Sequence, residues 1–256
     1  MRYVLALLAS VSAVPAAAQT TDLPTVELPA PEELIDDGVK LPAPPKTPTT
    51  VTVYSSILTQ YGFQDLGVVF YDKPVIQSGV TVSRGRCSVD LWNSSGLTTK
   101  GTYGNRGYSD EFDLTLACST SIGKVTVTGS LSYYAVAPLA QTRDDMVQVF
   151  IQAETTFDLG QVSVTPYARI QQWWGTPDFP KDTFVRAGAR ATVPIAGPVS
   201  ASGDLSDIVE LDRNRHVLRG DVSLSYDFGN RLSGSLSAKF ARGMDTIFAV
   251  GVSKTF

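Results

Sequence analysis

The chain has 256 residues, with 21 Lys and Arg against 25 Asp and Glu, a net charge of −4, one histidine and two cysteines. That mild acidity leaves no electrostatic case for a nucleic-acid partner, and two cysteines alone cannot supply the four ligands of a structural zinc site. After the amino end, no stretch approaches the roughly 20 consecutive apolar residues that a membrane-spanning helix needs.

At the amino end, Arg2 precedes an apolar run from Val4 to Val14, and Pro15, Ala16, Ala17, Ala18 and Gln19 follow. This is the pattern of an export signal, with cleavage expected after Ala18, so residues 1–18 are read as a signal peptide. Residues 19–50 hold seven prolines from Pro24 to Pro48, six acids from Asp22 to Asp37, and no aromatic residue. Too little apolar surface is present to offset the entropy of ordering, so a disordered, partly polyproline periplasmic linker is expected. Such an arm reads as a plain disordered leader or as a periplasmic tether that touches peptidoglycan or a partner.

From Val51 the pattern changes to strands. Twelve segments alternate polar and apolar residues: 51–63, 74–83, 86–95, 110–119, 124–136, 146–158, 161–174, 182–193, 198–209, 215–228, 231–242 and 245–256. Tight turns are expected around Gly85, Ile122 to Gly123, Leu159 to Gly160, Ile195 to Pro198 and Gly229 to Asn230. The intervening connectors are longer, except for the short one around Gly243. Alternating short turns and longer loops is what an outer-membrane barrel requires, and residues 51–256 are read as one closed antiparallel, up-and-down β-barrel of about twelve strands. Pro166 has no N–H to give a ladder, so a bulge is expected there.

Aromatic residues sort by strand end. Tyr61, Phe63, Trp92, Phe112, Tyr133, Tyr134, Trp173, Trp174, Phe184 and Phe248 fall at the long-loop ends, and Phe157, Phe228 and Phe256 at the opposite ends. Two interface girdles account for this, whereas a soluble β-sandwich, the competing all-β reading, gives no reason for it. Parity then sends Val125, Val127, Leu131, Tyr133, Val147, Val149, Ile151, Ala153 and Phe157 toward lipid.

The opposite face carries the charge. Arg169, Arg186, Arg190, Arg219 and Lys239 lie on strands seven, eight, ten and eleven, and Asp90, Asp113 and Glu154 on strands three, four and six. Opposed charged walls of this kind set a transverse field across a channel constriction and select solutes by charge. Trp92, Tyr134 and Trp173 point inward near the long-loop mouth, where flat faces suit sugar rings. The competing reading has the same groups filling a narrow lumen as a salt-bridged plug. Cys87 and Cys118 open and close neighbouring strands near the short-turn rim with the same parity, so a disulfide is expected in an oxidising compartment.

Catalytic signals are thin. His216 is the sole histidine. It has Asp212 nearby and Ser206 or Ser223 as conceivable nucleophiles, but no surrounding motif supports a hydrolase, and no enzyme is expected. Acids at Asp110, Glu111 and Asp113, and at Asp144 and Asp145, lack the spacing of a calcium loop and read as solvated loop charge. Neither a cofactor nor a metal is called for.

Long dyad-repeat strands ending on Phe256 resemble those of bacterial outer-membrane barrels, whose last strand and terminal aromatic are read by the barrel-assembly machinery; Lys254 departs from that pattern. The run Tyr61, Gly62, Phe63, then Lys73, Pro74, Val75, Ile76, Gln77, Ser78, Gly79, then Asp90, Leu91, Trp92, Asn93, Ser94, Ser95, and later Asp110, Glu111, Phe112, Asp113 resembles a family of uncharacterised proteobacterial outer-membrane β-barrels described as porin-like. The resemblance covers the barrel and implies an outer-membrane location among outer-membrane lipids. Together with the inner charges it leads to the expectation of a channel for small hydrophilic solutes. The alternatives are a structural envelope barrel with a plugged lumen and a periplasmic tether, and, further off, an outer-membrane lipid-modifying enzyme.

Overall fold

The computed structural model describes residues 47–98, 110–136, 145–175 and 181–256. Residues 1–18, most of the Pro-rich stretch and Asp144 fall outside the described residues. In chain order the strands are β1 (Thr49–Leu58), β2 (Tyr61–Phe63), β3 (Val68–Tyr71), β4 (Val75–Arg84), β5 (Cys87–Gly96), β6 (Glu111–Ile122), β7 (Val125–Val136) and β8 (Met146–Glu154). They continue as β9 (Phe157–Leu159), β10 (Val162–Gly175), β11 (Asp182–Ala196), β12 (Val199–Glu210), β13 (Arg215–Gly229), β14 (Leu232–Ala241) and β15 (Ile247–Thr255).

All pairings in the wall are antiparallel between neighbours, and β15 returns to β1 through Thr52↔Thr255 to Leu58↔Ala249. Because β10 also pairs with β11, the sheet closes on itself, with the three-residue β9 paired to β10 alone. Counting β9 as the continuation of β8, the wall has the twelve staves expected from the sequence. Closure removes the unpaired backbone groups that hydrocarbon could not solvate.

The tight turns follow from backbone chemistry. Gly85, Gly123, Gly160, Gly197 and Gly229 all have positive φ, between 53° and 82°, a region open to glycine at little cost. The wall is apolar outside and polar inside. Ile151, Leu236, Val250 and Phe228 are more than half exposed on the outer face, while Gln148, Gln152, Gln171 and Ser223 are buried on the inner one. A polar interior behind an exposed apolar belt is stable only with hydrocarbon outside.

Two sequence expectations need correction. Strand one ends at Leu58 rather than residue 63. Tyr61–Phe63 leaves the wall and pairs with Val68–Tyr71 as a separate two-stranded sheet. Its alternation looked continuous with β1 because any half-buried strand alternates, whichever sheet it joins. No bulge forms at Pro166 either: Tyr167 pairs with Glu154 and Val164 with Phe157 in unbroken register. Instead the partner strand lapses at Thr155 and Thr156, between β8 and β9, opposite the proline that cannot donate.

Candidate functional site

The β2–β3 hairpin folds into the barrel from the long-loop end and lies across the lumen. At its base Tyr61 donates to the Glu111 carboxylate on β6. At its tip Asp65 Oδ1 accepts from Arg219 Nη1 at 2.7 Å, and Asp65 Oδ2 accepts from Gln171 Nε2 at 3.2 Å. The hairpin is thus tied at one end to β6 and at the other to β10 and β13. Asp65 belongs to a connector, and its carboxyl responds to opposing effects: burial pushes it up, but Arg219, Arg186 and Arg169 together hold it down at about 2.

Apolar packing reinforces both ties. Leu58, Tyr61, Tyr71, Val75, Ile247 and Ala249 form one buried cluster, with Phe70, Trp92 and Met244 against it. Met146, Trp173, Phe184, Ile208, Val217 and Ala241 form a second, with Phe63, Leu66, Tyr134 and Met244 against it. Phe63 lies 5.0 Å from Trp173, which in turn lies 4.5 Å from Phe184. Two glycines let the hairpin approach its neighbours closely, Gly67 against backbone and Gly62 against movable side-chain ends. A Cβ on Gly62 would sit 2.3 Å from Met244 Cε, and one on Gly67, whose φ is +62°, would sit 2.5 Å from the Arg242 carbonyl oxygen. The short connector around Gly243 is therefore the seat of the hairpin.

Below the hairpin the charged residues are paired. Arg219 Nη2 also reaches Asp221, at 3.1 Å. Arg186 reaches Asp204 at 3.2 Å and donates from Nε to Ser206 at 3.0 Å. Arg190 pairs with Glu154, and Lys239 lies directly opposite Asp221 in the ladder. Arg169 differs: Nε and Nη2 both donate to the neutral Gln152 Oε1, at 2.9 and 2.7 Å, and its guanidinium lies 4.0 Å over the Phe150 ring. Glu154, expected on the acidic wall, thus lies with the cations. Asp204 and Asp221, direct partners across β12 and β13, would repel each other without the adjoining Arg186, Arg219 and Lys239.

The other wall carries Asp90, Glu111 and Asp113, and no cation forms a salt bridge with them among the described residues. Hydroxyls take that place. Tyr54 donates to Asp90 at 2.9 Å, Thr81 also bonds Asp90, and Tyr61 bonds Glu111. Tyr54 reaches Asp90 across Gly79, its direct partner on β4, and Tyr167 reaches Asp204 at 2.8 Å across Gly188, its direct partner on β11. A Cβ on Gly79 would sit 2.3 Å from the Tyr54 oxygen, and one on Gly188 would sit 2.8 Å from the Tyr167 oxygen. The same tyrosine, glycine and aspartate device therefore occurs twice. In the sequence its trace is a lone glycine at inward parity in an otherwise regular strand.

The aromatic residues of the long-loop end divide into two sets. Phe112, Tyr133, Trp174 and Phe248 are exposed on the outer face, as a girdle requires. Trp173 and Phe184 are buried in the lumen, and Trp92 and Tyr134 pack against the same clusters. Trp173 meets Phe63, and Trp92 meets Tyr61 at 6.2 Å, so hairpin residues take up the flat faces assigned to sugar rings. Sequence reasoning missed Asp65 for the same reason that it extended β1, since a residue in an apparent external loop has no inward parity.

Toward the short turns the inward residues become small and hydroxylated. Ser200, Ser225, Asp227, Ser233, Ser253 and Thr255 line a cavity of about 450 Å³, with Pro198, Tyr226 and Arg231 at its rim. Cross-strand hydroxyl pairs dress this part of the wall, among them Ser233 with Ser253 at 2.8 Å and Ser119 with Thr128 at 2.8 Å.

Cys87 and Cys118 are direct ladder partners joined by a disulfide, with 4.1 Å between their Cα atoms. His216 Nδ1 lies 3.0 Å from Asp207 Oδ2 on the outer face. Ser206 and Ser223 are buried on the opposite, inner face, and Asp212 accepts from the Thr183 backbone N–H at 2.7 Å. The Ser, His and acid residues weighed from the sequence therefore do not converge. Among the described residues no three His, Cys, Asp or Glu side chains are grouped to hold a metal ion.

The closed wall and its apolar belt define an outer-membrane β-barrel. The fold is similar to that of the KdgM porin, with a TM-score of 0.54 and 8% identity over 81% of this chain and 99% of that one. It is also similar to the NanC porin, with a TM-score of 0.51 and 10% identity over 80% and 98%. At such identities the likeness is one of fold. No protein-family model matches the chain, and no curated protein matches it.

Proposed function

We propose that the protein is a porin-like channel of the bacterial outer membrane for small hydrophilic solutes, held closed by the β2–β3 hairpin. One observation carries this reading. The inner wall bears charged groups at mid-barrel, and toward the short turns a hydroxyl-lined cavity of about 450 Å³ lies on the inner face of β12 to β15. A barrel that served only as a wall would have no need to bury so many ions, because apolar packing of the same volume is at least as stable. Solutes reach the cations and carboxylates from the short-turn side and pass the long-loop end when the hairpin is displaced. The fold shared with porins supports this reading, as does the resemblance to the porin-like proteobacterial family.

A second reading has its own support. Two apolar clusters fill the long-loop end, which suits a structural barrel with a permanently plugged lumen, tied to the cell wall by its Pro-rich arm. The ends of β1 and β4 are direct partners, Leu58↔Val75, so residues 60–73 can be replaced by Gly-Ser without opening the wall. In planar bilayers the intact protein should conduct rarely and the shortened one steadily. Correct insertion shown by heat-modifiable gel mobility, together with silence from both proteins at every voltage, would leave only the structural barrel.

A further inference from the structure

The hairpin tip presents a carboxylate to a site that does not depend on it for neutrality alone. Arg219 keeps Asp221 as a partner within the wall at 3.1 Å, and Arg186 keeps Asp204 at 3.2 Å. Arg169, which also acts electrostatically on Asp65, has only the neutral Gln152 as a hydrogen-bond acceptor among the described residues. With Asp65 withdrawn, a buried cation excess would remain, and that is costly unless another anion arrives. Donors for such an anion are already in place. Arg219 Nη1 and Gln171 Nε2 are the groups that hold Asp65, and Trp173 Nε1, two residues along the same face, is buried with no hydrogen-bond partner among the described residues. Gln171 is only 1% exposed, and its Oε1 likewise has no hydrogen-bond partner among the described residues.

The wall does not need the hairpin for its own ladders. The hairpin's two strands form a sheet of their own and share no ladder with the wall, so its departure breaks side-chain ties and apolar contacts while the barrel ladders stay whole.

Resting on the channel reading, we propose that Arg219, Gln171 and Arg169 form a binding site for the carboxylate of a small organic acid. Asp65 occupies that site in the closed state as an intramolecular competitor. A solute carboxylate entering from the short-turn side takes Asp65's place on Arg219, and the hairpin tip is released. The guanidinium fork suits a planar carboxylate.

The test uses the full chain with succinate as probe, succinamide as its neutral counterpart, and ionic strength matched with sodium chloride. Calorimetry in detergent should show succinate binding D65N about tenfold or more tightly than wild type, because a site blocked by its own hairpin loses apparent affinity in proportion to the blocked fraction. Binding should vanish in R219Q, and succinamide should bind neither protein. In bilayers D65N should open without ligand, and wild type should open with succinate but not with succinamide. Equal succinate affinity in wild type and D65N, or retained affinity in R219Q, would overturn the proposal. So would a channel opened by hairpin removal but indifferent both to D65N and to succinate, an outcome that leaves the channel reading intact. Silence of the hairpin-deleted protein would instead remove the channel reading, and the calorimetric comparison would still decide whether the carboxylate site exists.

Discussion

The two halves of the lumen are made from the same twelve staves and solve opposite problems. Toward the long loops, inward positions carry Val75, Phe184, Ile208 and Val217, all buried, and the hairpin completes a dry layer. Toward the short turns they carry Ser200, Ser225, Ser233 and Ser253, small groups that leave room for water. Between them lies the belt of ion pairs. Barrel closure therefore does not determine whether a lumen is open: inward residues set that stave by stave, and here a connector supplies the missing volume.

The largest loss is expected at the belt. Arg219→Ala removes the cation that Asp65 faces and leaves Asp221 to Lys239, and should destabilise the folded barrel by about 3–5 kcal/mol, read from urea unfolding of the refolded protein in bilayers. Phe184→Ala, at a fully buried site in the dry half, should cost about 3 kcal/mol by the same measurement. Changing Cys87 and Cys118 together to Ser should cost about 2–4 kcal/mol through the loss of loop closure over a separation of 31 residues, and adding reductant to the native protein should reproduce that loss. Ser225→Ala, in the wet half, should stay within about 0.5 kcal/mol, and an effect as large as that of Phe184→Ala would erase the contrast between the halves.

Acid sharpens the same contrast. The Asp65 carboxyl sits at about 2 in the folded protein against an ordinary value of 3.8. A depressed carboxyl contributes stability that is complete above its unfolded value and is lost as pH falls through the folded one. The hairpin tie should therefore hold steady from pH 8 to about pH 5 and weaken toward pH 2. If the barrel conducts as proposed, its opening across that range should be flat above pH 5, and a rise between pH 7 and 6 would mean that another group governs the tie.

Much of this was legible in the sequence because the wall is a periodic object. The alternation from Val217 to Phe228 and from Arg231 to Ala241, the glycines at the tight turns and the parity of Cys87 and Cys118 all follow from a two-residue repeat. What the repeat could not convey was partnership around the ring. Arg190 meets Glu154 across β10, and Tyr54 reaches Asp90 across β4, through closures of the wall that local alternation does not encode. The basic wall accordingly looked barer in sequence than it is. Asp65 was less legible still, since its inward position comes from a turn of the chain at Thr59 and Gln60 that no periodicity marks.

The bond between Cys87 and Cys118 has a bearing on the order of assembly. Both ends of it lie at the short-turn rim, while the chain between them runs to the far side and back. If the link is made before insertion, β5 and β6 must thread through the bilayer as one doubled cord rather than as two successive lengths. The redox state met by the chain before insertion then decides which of the two journeys it makes.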